Sequence, residues 1–180
     1  MAHRGRRPEI AIRVKTVAQL FNSLDPSPFN EQDLDDRAEE FIVGWARELP
    51  RDMRFTLAVH LPPEEAARPE AAGIGTTVTH YFSERARMAA LEQRELFRVG
   101  RISLAIGITV LALTLTASQL LAPLLPTETL ARIGEESLII VGWVANWRPI
   151  EIYLYEWWPI RRRMRLYRRI AAAPLVVRSE

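Results

Sequence analysis

The chain has 180 residues with a formal charge of only +2, and it contains no cysteine. That excludes disulfides, thiolate zinc sites and cysteine nucleophiles, and the length leaves room for one small soluble domain beside a membrane segment. The near-neutral total hides an uneven distribution. Arg4, Arg6, Arg7, Arg13 and Lys15 make the first stretch basic, Asp25 to Glu40 is acidic, and Arg161, Arg162, Arg163, Arg165, Arg168 and Arg169 form a second basic block without an acid.

Every basic residue except Lys15 is arginine, and alanine is abundant, a bias that goes with a GC-rich bacterial genome. The polar N-terminus lacks the apolar core of a signal peptide, so export of the first domain is not expected.

In chain order, Glu9 to Lys15 alternates apolar Ile10, Ile12 and Val14 with polar neighbours, the period of a half-buried strand. Val17, Leu20, Phe21 and Leu24 recur at helical spacing and predict a short helix. Asp25-Pro26-Ser27-Pro28-Phe29 then predicts a rigid turn, because two prolines forbid helix and an aspartate can fold its side chain onto the following backbone. Phe29 is expected to tuck into the core.

From Asn30 an amphipathic helix is predicted, with Leu34, Ala38, Phe41, Ile42, Trp45 and Leu49 on its core face and Pro50 at its end. Acids crowd its first turns, where the helix dipole favours them. Asp33, Asp35 and Asp36 lack the glycine and distal glutamate of a calcium loop, so no metal is expected there. Met53 to Leu61 predicts a second strand. Two strands flanking a helix make a βαβ-like unit, and so small a sheet predicts further strands from a neighbouring subunit or another protein.

Pro62 to Gly75 reads as a surface loop; Gly73-Ile74-Gly75 lacks the third glycine of a nucleotide fingerprint, and no cofactor is expected. With Thr76 or Thr77 as N-cap, a helix is predicted to run without a breaker into an apolar stretch. Ile102 to Ala122 carries no charge, and at about 1.5 Å rise per residue it covers the roughly 30 Å core of a bilayer. Gly100, Ser103 and Gly107 form a small-residue stripe suited to close helix packing, either against a second helix of the same chain or against a second copy.

Pro123 and Pro126 end that helix, and a second apolar segment runs from about Ile133 to Trp158, interrupted by Arg148, Glu151 and Glu156. Two readings fit. Either the span extends from Ser137 to Trp158 with Arg148 near mid-depth and paired to Glu151, or it ends near Arg148 and Pro149 with the rest lying in the interface. The second is preferred, because it lets Arg148 snorkel. Trp143, Trp147, Trp157 and Trp158 then make an interfacial belt, and Arg148, Glu151 and Glu156 are the candidate polar contact. Pro159 to Ile170 reads as a basic amphipathic helix on an anionic leaflet, its apolar side formed by Ile160, Met164, Tyr167 and Ala171 and its arginines on lipid headgroups; its juxtamembrane place favours phospholipid over nucleic acid.

The segments Gly142-Trp143-Val144-Ala145-Asn146-Trp147-Arg148-Pro149-Ile150-Glu151 and Tyr155-Glu156-Trp157-Trp158-Pro159-Ile160-Arg161, together with Asp25 to Phe29, resemble a group of uncharacterised bacterial proteins with two membrane spans. The resemblance implies no activity and no site.

The expected architecture is therefore α+β: a cytoplasmic βαβ-like domain over residues 1–75, a connecting helix over 76–100, a two-helix transmembrane hairpin over 101–158, and a basic juxtamembrane helix and tail over 159–180. Arginine-rich flanks and a poorly charged connecting loop place both termini in the cytoplasm of a two-pass inner-membrane protein. The three histidines, His3, His60 and His80, show no ligand spacing and no catalytic motif is present, so a non-enzymatic role is expected. Either the chain self-assembles or serves as a scaffold or accessory subunit of a membrane complex, or several hairpins form a channel lined by Arg148, Glu151, Ser103 and Thr114.

Overall fold

In a computed structural model, which describes residues 8–180, the chain combines helices with a small parallel sheet. Arg4, Arg6, Arg7 and His3 lie outside the described residues. Contacts divide the chain into two compact units, one formed by residues up to Ala89 together with Arg162–Glu180 and the other by Ala90–Arg161. The division differs from the expected one: residues 76–89 and 162–180 belong with the N-terminal domain.

In the first unit, strands β1 (Glu9–Arg13), β2 (Thr56–Leu61) and β3 (Leu175–Ser179) pair in parallel with β2 in the centre. Ile10 lies opposite Leu57, and Val59 is flanked by Ile12 and Val177. β1 keeps the predicted alternation, Ile10 and Ile12 being buried between exposed neighbours, whereas β2 is buried on both faces, as a central parallel strand must be. The third strand is the segment expected to be a tail. Val176 and Val177 are β-branched and suit a strand, and they lie beyond Pro174, which cannot continue the preceding helix. The sheet thus gains its third strand from its own chain.

The short predicted helix is a 3-10 turn, Val17–Leu20, which buries Val17 and Leu20 and leaves Leu24 in solvent. At the proline turn, Asp25 accepts hydrogen bonds from the amides of Asp33 (2.7 Å) and Ser27 (2.9 Å). These bonds, that from the Asp33 amide foremost, hold the carboxyl below its ordinary range. Phe29 packs its edge on Phe21, with ring centres 5.0 Å apart.

Helix α1 (Asp36–Glu48) starts later than expected, after Asp35 as N-cap, and turns a different face inward: Glu39, Ile42, Val43 and Ala46 are buried while Phe41 and Trp45 stay 42% and 51% exposed. A count of apolar residues locates the face with Phe41 and Trp45; the buried carboxylate of Glu39 and its partners, described below, rotate it.

After a single turn, α2 (Pro63–Ala66), the helix α3 (Pro69–Leu121) begins where a loop was expected. Proline is tolerated in a first turn, so Pro69 opens the helix and does not break it. Gly73 lies within that helix because a Cβ there would stand 2.8 Å from the Phe29 ring. Thr77 is fully buried, its hydroxyl 3.1 Å from the carbonyls of both Phe29 and Gly73, and so is an interior anchor and not an N-cap. α3 is the one helix among the described residues that is long and apolar enough to cross a membrane: its most apolar window has a mean hydropathy of 1.9 and is 11% buried.

In the second unit, α3 continues to Leu121 and is followed by α4 (Glu128–Val144), α5 (Trp147–Glu151), a π-turn (Ile152–Glu156) and the first residues of α6 (Trp157–Ala171). The second apolar segment is therefore not one continuous α-helix. Gly142 meets Leu111 and Thr114, Gly107 meets Ala145 and Asn146, and Gly100 meets Ile152 and Tyr153. Gly100 and Gly107 thus serve packing within the chain, one of the two uses their stripe allows.

Candidate functional site

The polar residues predicted within the apolar segment come together between two prolines. Pro149 has no amide to give the Ala145 carbonyl, and the helix breaks at Ala145–Asn146. Asn146 turns inward there: it is 8% exposed, and its side-chain amide donates to the carbonyls of Gly142 (3.0 Å) and Gly107 (3.1 Å). A Cβ on Gly107 would lie 3.0 Å from the Ala145 carbonyl oxygen, so only glycine lets the backbones approach this closely. Sequence reasoning missed Asn146; an uncharged amide amid apolar residues was the available signal.

Pro159 has the corresponding effect further on. Its ring would clash with the carbonyl four residues earlier, that of Tyr155, and the helix widens into the π-turn that contains Tyr155. The extra residue matters for Arg148 and Glu156. In a regular α-helix a separation of eight residues leaves two side chains about 80° apart; one inserted residue restores an effective seven, and they share a face. Arg148 accordingly grips both carboxylate oxygens of Glu156, and its Nη1 lies 3.4 Å from Glu151. The indole N–H of Trp147 donates to the other Glu151 oxygen at 2.9 Å, and that of Trp157 donates to the Tyr153 carbonyl within the π-turn, also at 2.9 Å. The cluster is thus internally satisfied, while Trp143, Trp147, Tyr155 and Trp158 remain 61 to 70% exposed around it.

The six C-terminal arginines do not act alike. Arg161 stacks over the Trp157 ring at 5.5 Å. Arg169 donates to the carbonyls of Ala46 (2.5 Å), Pro50 (3.1 Å) and Arg51 (3.2 Å), satisfying the C-terminal end of α1 and the turn that follows, so its assignment to lipid headgroups is corrected. Arg162, Arg163, Arg165 and Arg168 are exposed. The apolar face expected to enter the leaflet is also corrected: Met164, Tyr167 and Ile170 are buried, the last two within the core of the first unit, where Tyr167 and Phe82 lie 6.0 Å apart.

A second polar constellation, centred on Glu39, was not read from the sequence. The 8%-exposed carboxylate accepts from the hydroxyls of Tyr81 (2.5 Å) and Tyr167 (3.2 Å) and from Arg85 Nη2, 2.7 Å from Oε2 and 2.9 Å from Oε1, tying α1, α3 and α6 together. Burial first, and then the bond to the carboxylate, pushes the Tyr81 phenol up; burial and the Glu39 charge raise Tyr167. Both phenols are neutral when folded. Their stabilising contribution is therefore present below the unfolded phenol value of about 10 and is lost as pH rises through the higher folded values. Urea midpoints measured across the alkaline range should stay level to about pH 10 and then fall, less steeply in Glu39→Gln, where the carboxylate charge is gone.

His60 is 9% exposed with Nδ1 2.8 Å from a Glu180 carboxylate oxygen, and His80 is exposed on α3. Among the described residues no group of three or more histidine, aspartate or glutamate side chains is placed to hold a metal. Compared with protein-family models, curated proteins and solved structures, the chain gives no match.

Proposed function

We propose that this is a non-enzymatic, two-pass protein of the bacterial inner membrane, both termini cytoplasmic, which self-assembles or serves as a scaffold or accessory subunit of a membrane complex. The observation that carries the membrane part is the treatment of hydroxyls in α3. Thr109 and Thr116 are exposed, yet each returns its hydroxyl to its own helix, at 2.8 Å to Ala105 and Ala112, and Thr114 and Ser118 do the same to Leu111 and Leu115. Exposed Ile102, Ile106, Ile108 and Leu113 lie among them. A surface whose threonines return their hydroxyls to their own helix, and which otherwise presents much aliphatic area, suits lipid. The two-pass arrangement is supported by the contacts of Gly107 and Gly142, and the scaffold role by the self-satisfied Arg148 cluster with its ring of exposed aromatics.

The absence of cysteine makes topology directly testable. In intact spheroplasts a membrane-impermeant maleimide should label Thr127→Cys, and Ser23→Cys and Ser179→Cys only after lysis. Before lysis, labelling of Ser179→Cys, or equal labelling of Ser23→Cys and Thr127→Cys, overturns the two-pass reading. Native mass spectrometry in mild detergent, against the 20.6 kDa chain, reports assembly. The alternative is a channel of several hairpins, and solute flux through proteoliposomes distinguishes it from a scaffold.

A further inference from the structure

We infer that Arg162, Arg165 and Arg168 form a docking stripe for anionic phospholipid headgroups that acts by charge alone, without insertion of the helix into the leaflet. The inference deepens the membrane reading and rests on it.

Three observations carry it. First, the stripe is geometrically defined: at about 100° per residue, positions separated by three step back by about 60°, so the three guanidinium groups lie in a band about 120° wide along α6. All three side chains are exposed, and none of the three has an ion-pair or hydrogen-bond partner among the described residues. Second, the opposite side of α6 is occupied: Met164, Tyr167 and Ile170 are buried, and Tyr167 is held by Glu39. A basic amphipathic helix ordinarily binds by combining its charges with burial of its apolar face in the acyl boundary. Here that face belongs to the protein core, and the charges are left to act alone. Third, no acid occurs in α6, and the next along the chain is Glu180, so the stripe is not neutralised from its own helix. Its arginines present planar, multiply donating groups suited to phosphate oxygens.

Binding by charge alone has a signature that insertion does not. Each guanidinium near an anionic surface contributes roughly a fivefold gain in affinity, so three together contribute about a hundredfold. The gain should largely disappear as ionic strength rises from about 0.1 M to about 1 M, where the screening length falls to about 3 Å. Insertion of an apolar face would survive that change.

The test uses the full chain in nonionic detergent micelles doped with a trace of fluorescent phosphatidylglycerol, with lipid anisotropy as the readout. The wild-type chain should bind the anionic probe and not a phosphatidylcholine analogue. R162Q/R165Q/R168Q should lose about a hundredfold in affinity with an unchanged melting curve, since the three side chains hold nothing in the fold. R162K/R165K/R168K should bind nearly as well as wild type. Were the triple glutamine variant to misfold, R165Q alone should still lose about fivefold. Equal binding of both lipids, affinity that persists in high salt, or an unaffected glutamine variant each overturns the inference. So does displacement of the lipid by a single-stranded oligonucleotide at lower total phosphate, which would assign the stripe to nucleic acid. Carbonate extraction of cell membranes reports separately on whether the chain is embedded, so failure of the span and failure of the stripe are read in different experiments.

Discussion

A chain ending at Ala173 should lose the fold of its sheet-containing unit while keeping its apolar helices. β3 is the last strand in sequence, but its removal strips one whole side of the central strand. Leu57 donates to the Pro174 carbonyl at 2.9 Å and Glu180 to the Leu61 carbonyl at 3.0 Å, with the β2–β3 ladder between them. Leu57, Ala58, Val59 and Leu61, none more than 1% exposed, would gain an open edge beside them. At about 1 kcal/mol net for each ladder hydrogen bond, and with the burial of Leu175 and Val177 also lost, the cost is roughly 4–6 kcal/mol, comparable with the whole stability of a small domain. A two-stranded remainder is marginal in water and exposes a strand edge that invites aggregation. Pulse proteolysis of the detergent-solubilised chain across a urea series measures this. The truncated chain should be cleaved between Glu9 and Ala89 at urea concentrations that leave the full chain intact, and an unchanged midpoint would show that the segment is a passenger.

Replacing Glu39 with alanine should strongly destabilise the same unit. It removes the acceptor shared by Tyr81, Tyr167 and Arg85, and with it the link among α1, α3 and α6. Breaking a buried ion pair by deleting one partner costs about 3–5 kcal/mol when the survivor stays buried. The Arg85 side chain is 41% exposed and can turn toward water, which places the expected loss near the lower end, about 3 kcal/mol. Glu39→Gln keeps an acceptor and should lose less, about 1–2 kcal/mol. Thermal melts of both variants, ranked against Phe41→Ala on the exposed flank of the same helix, test the assignment. If Phe41→Ala is the more destabilising, the apolar face read from the sequence is the true core face and the Glu39 network is peripheral.

Local sequence was sufficient wherever one short-range rule operated without competition. Alternation along Glu9–Arg13, the Asp25 side chain folded onto the Ser27 amide, and the unbroken apolar course of α3 through Ile102 to Leu121 were all legible, because each depends on the chemistry of a few neighbouring residues. The start of α3 was not. Gly73 and Gly75 read as loop residues by propensity, yet Gly73 is there because Phe29 packs against its backbone, a contact between residues far apart in sequence. The candidate site divides in the same way. Arg148, Glu151 and Glu156 stood out as charges in an apolar run and the i,i+3 pair of Arg148 and Glu151 was legible, but the meeting of Arg148 with Glu156 depends on a π-turn before Pro159 that shifts the helical register by one residue.

What the sequence by itself determined is the kind of chain this is: mixed helix and strand, cysteine-free, with one helix apolar and long enough for a bilayer. The tertiary structure alone decided which faces those elements use. Periodicity identifies an amphipathic helix without knowing what its polar residues will meet, so α1 was assigned the face holding Phe41 and Trp45, and α6 was assigned to lipid. A carboxylate that finds two tyrosines and an arginine from distant segments can be buried, and its burial turns α1. A helix whose apolar side completes a core has none left for a membrane, and α6 leaves Arg162, Arg165 and Arg168 exposed on its other side.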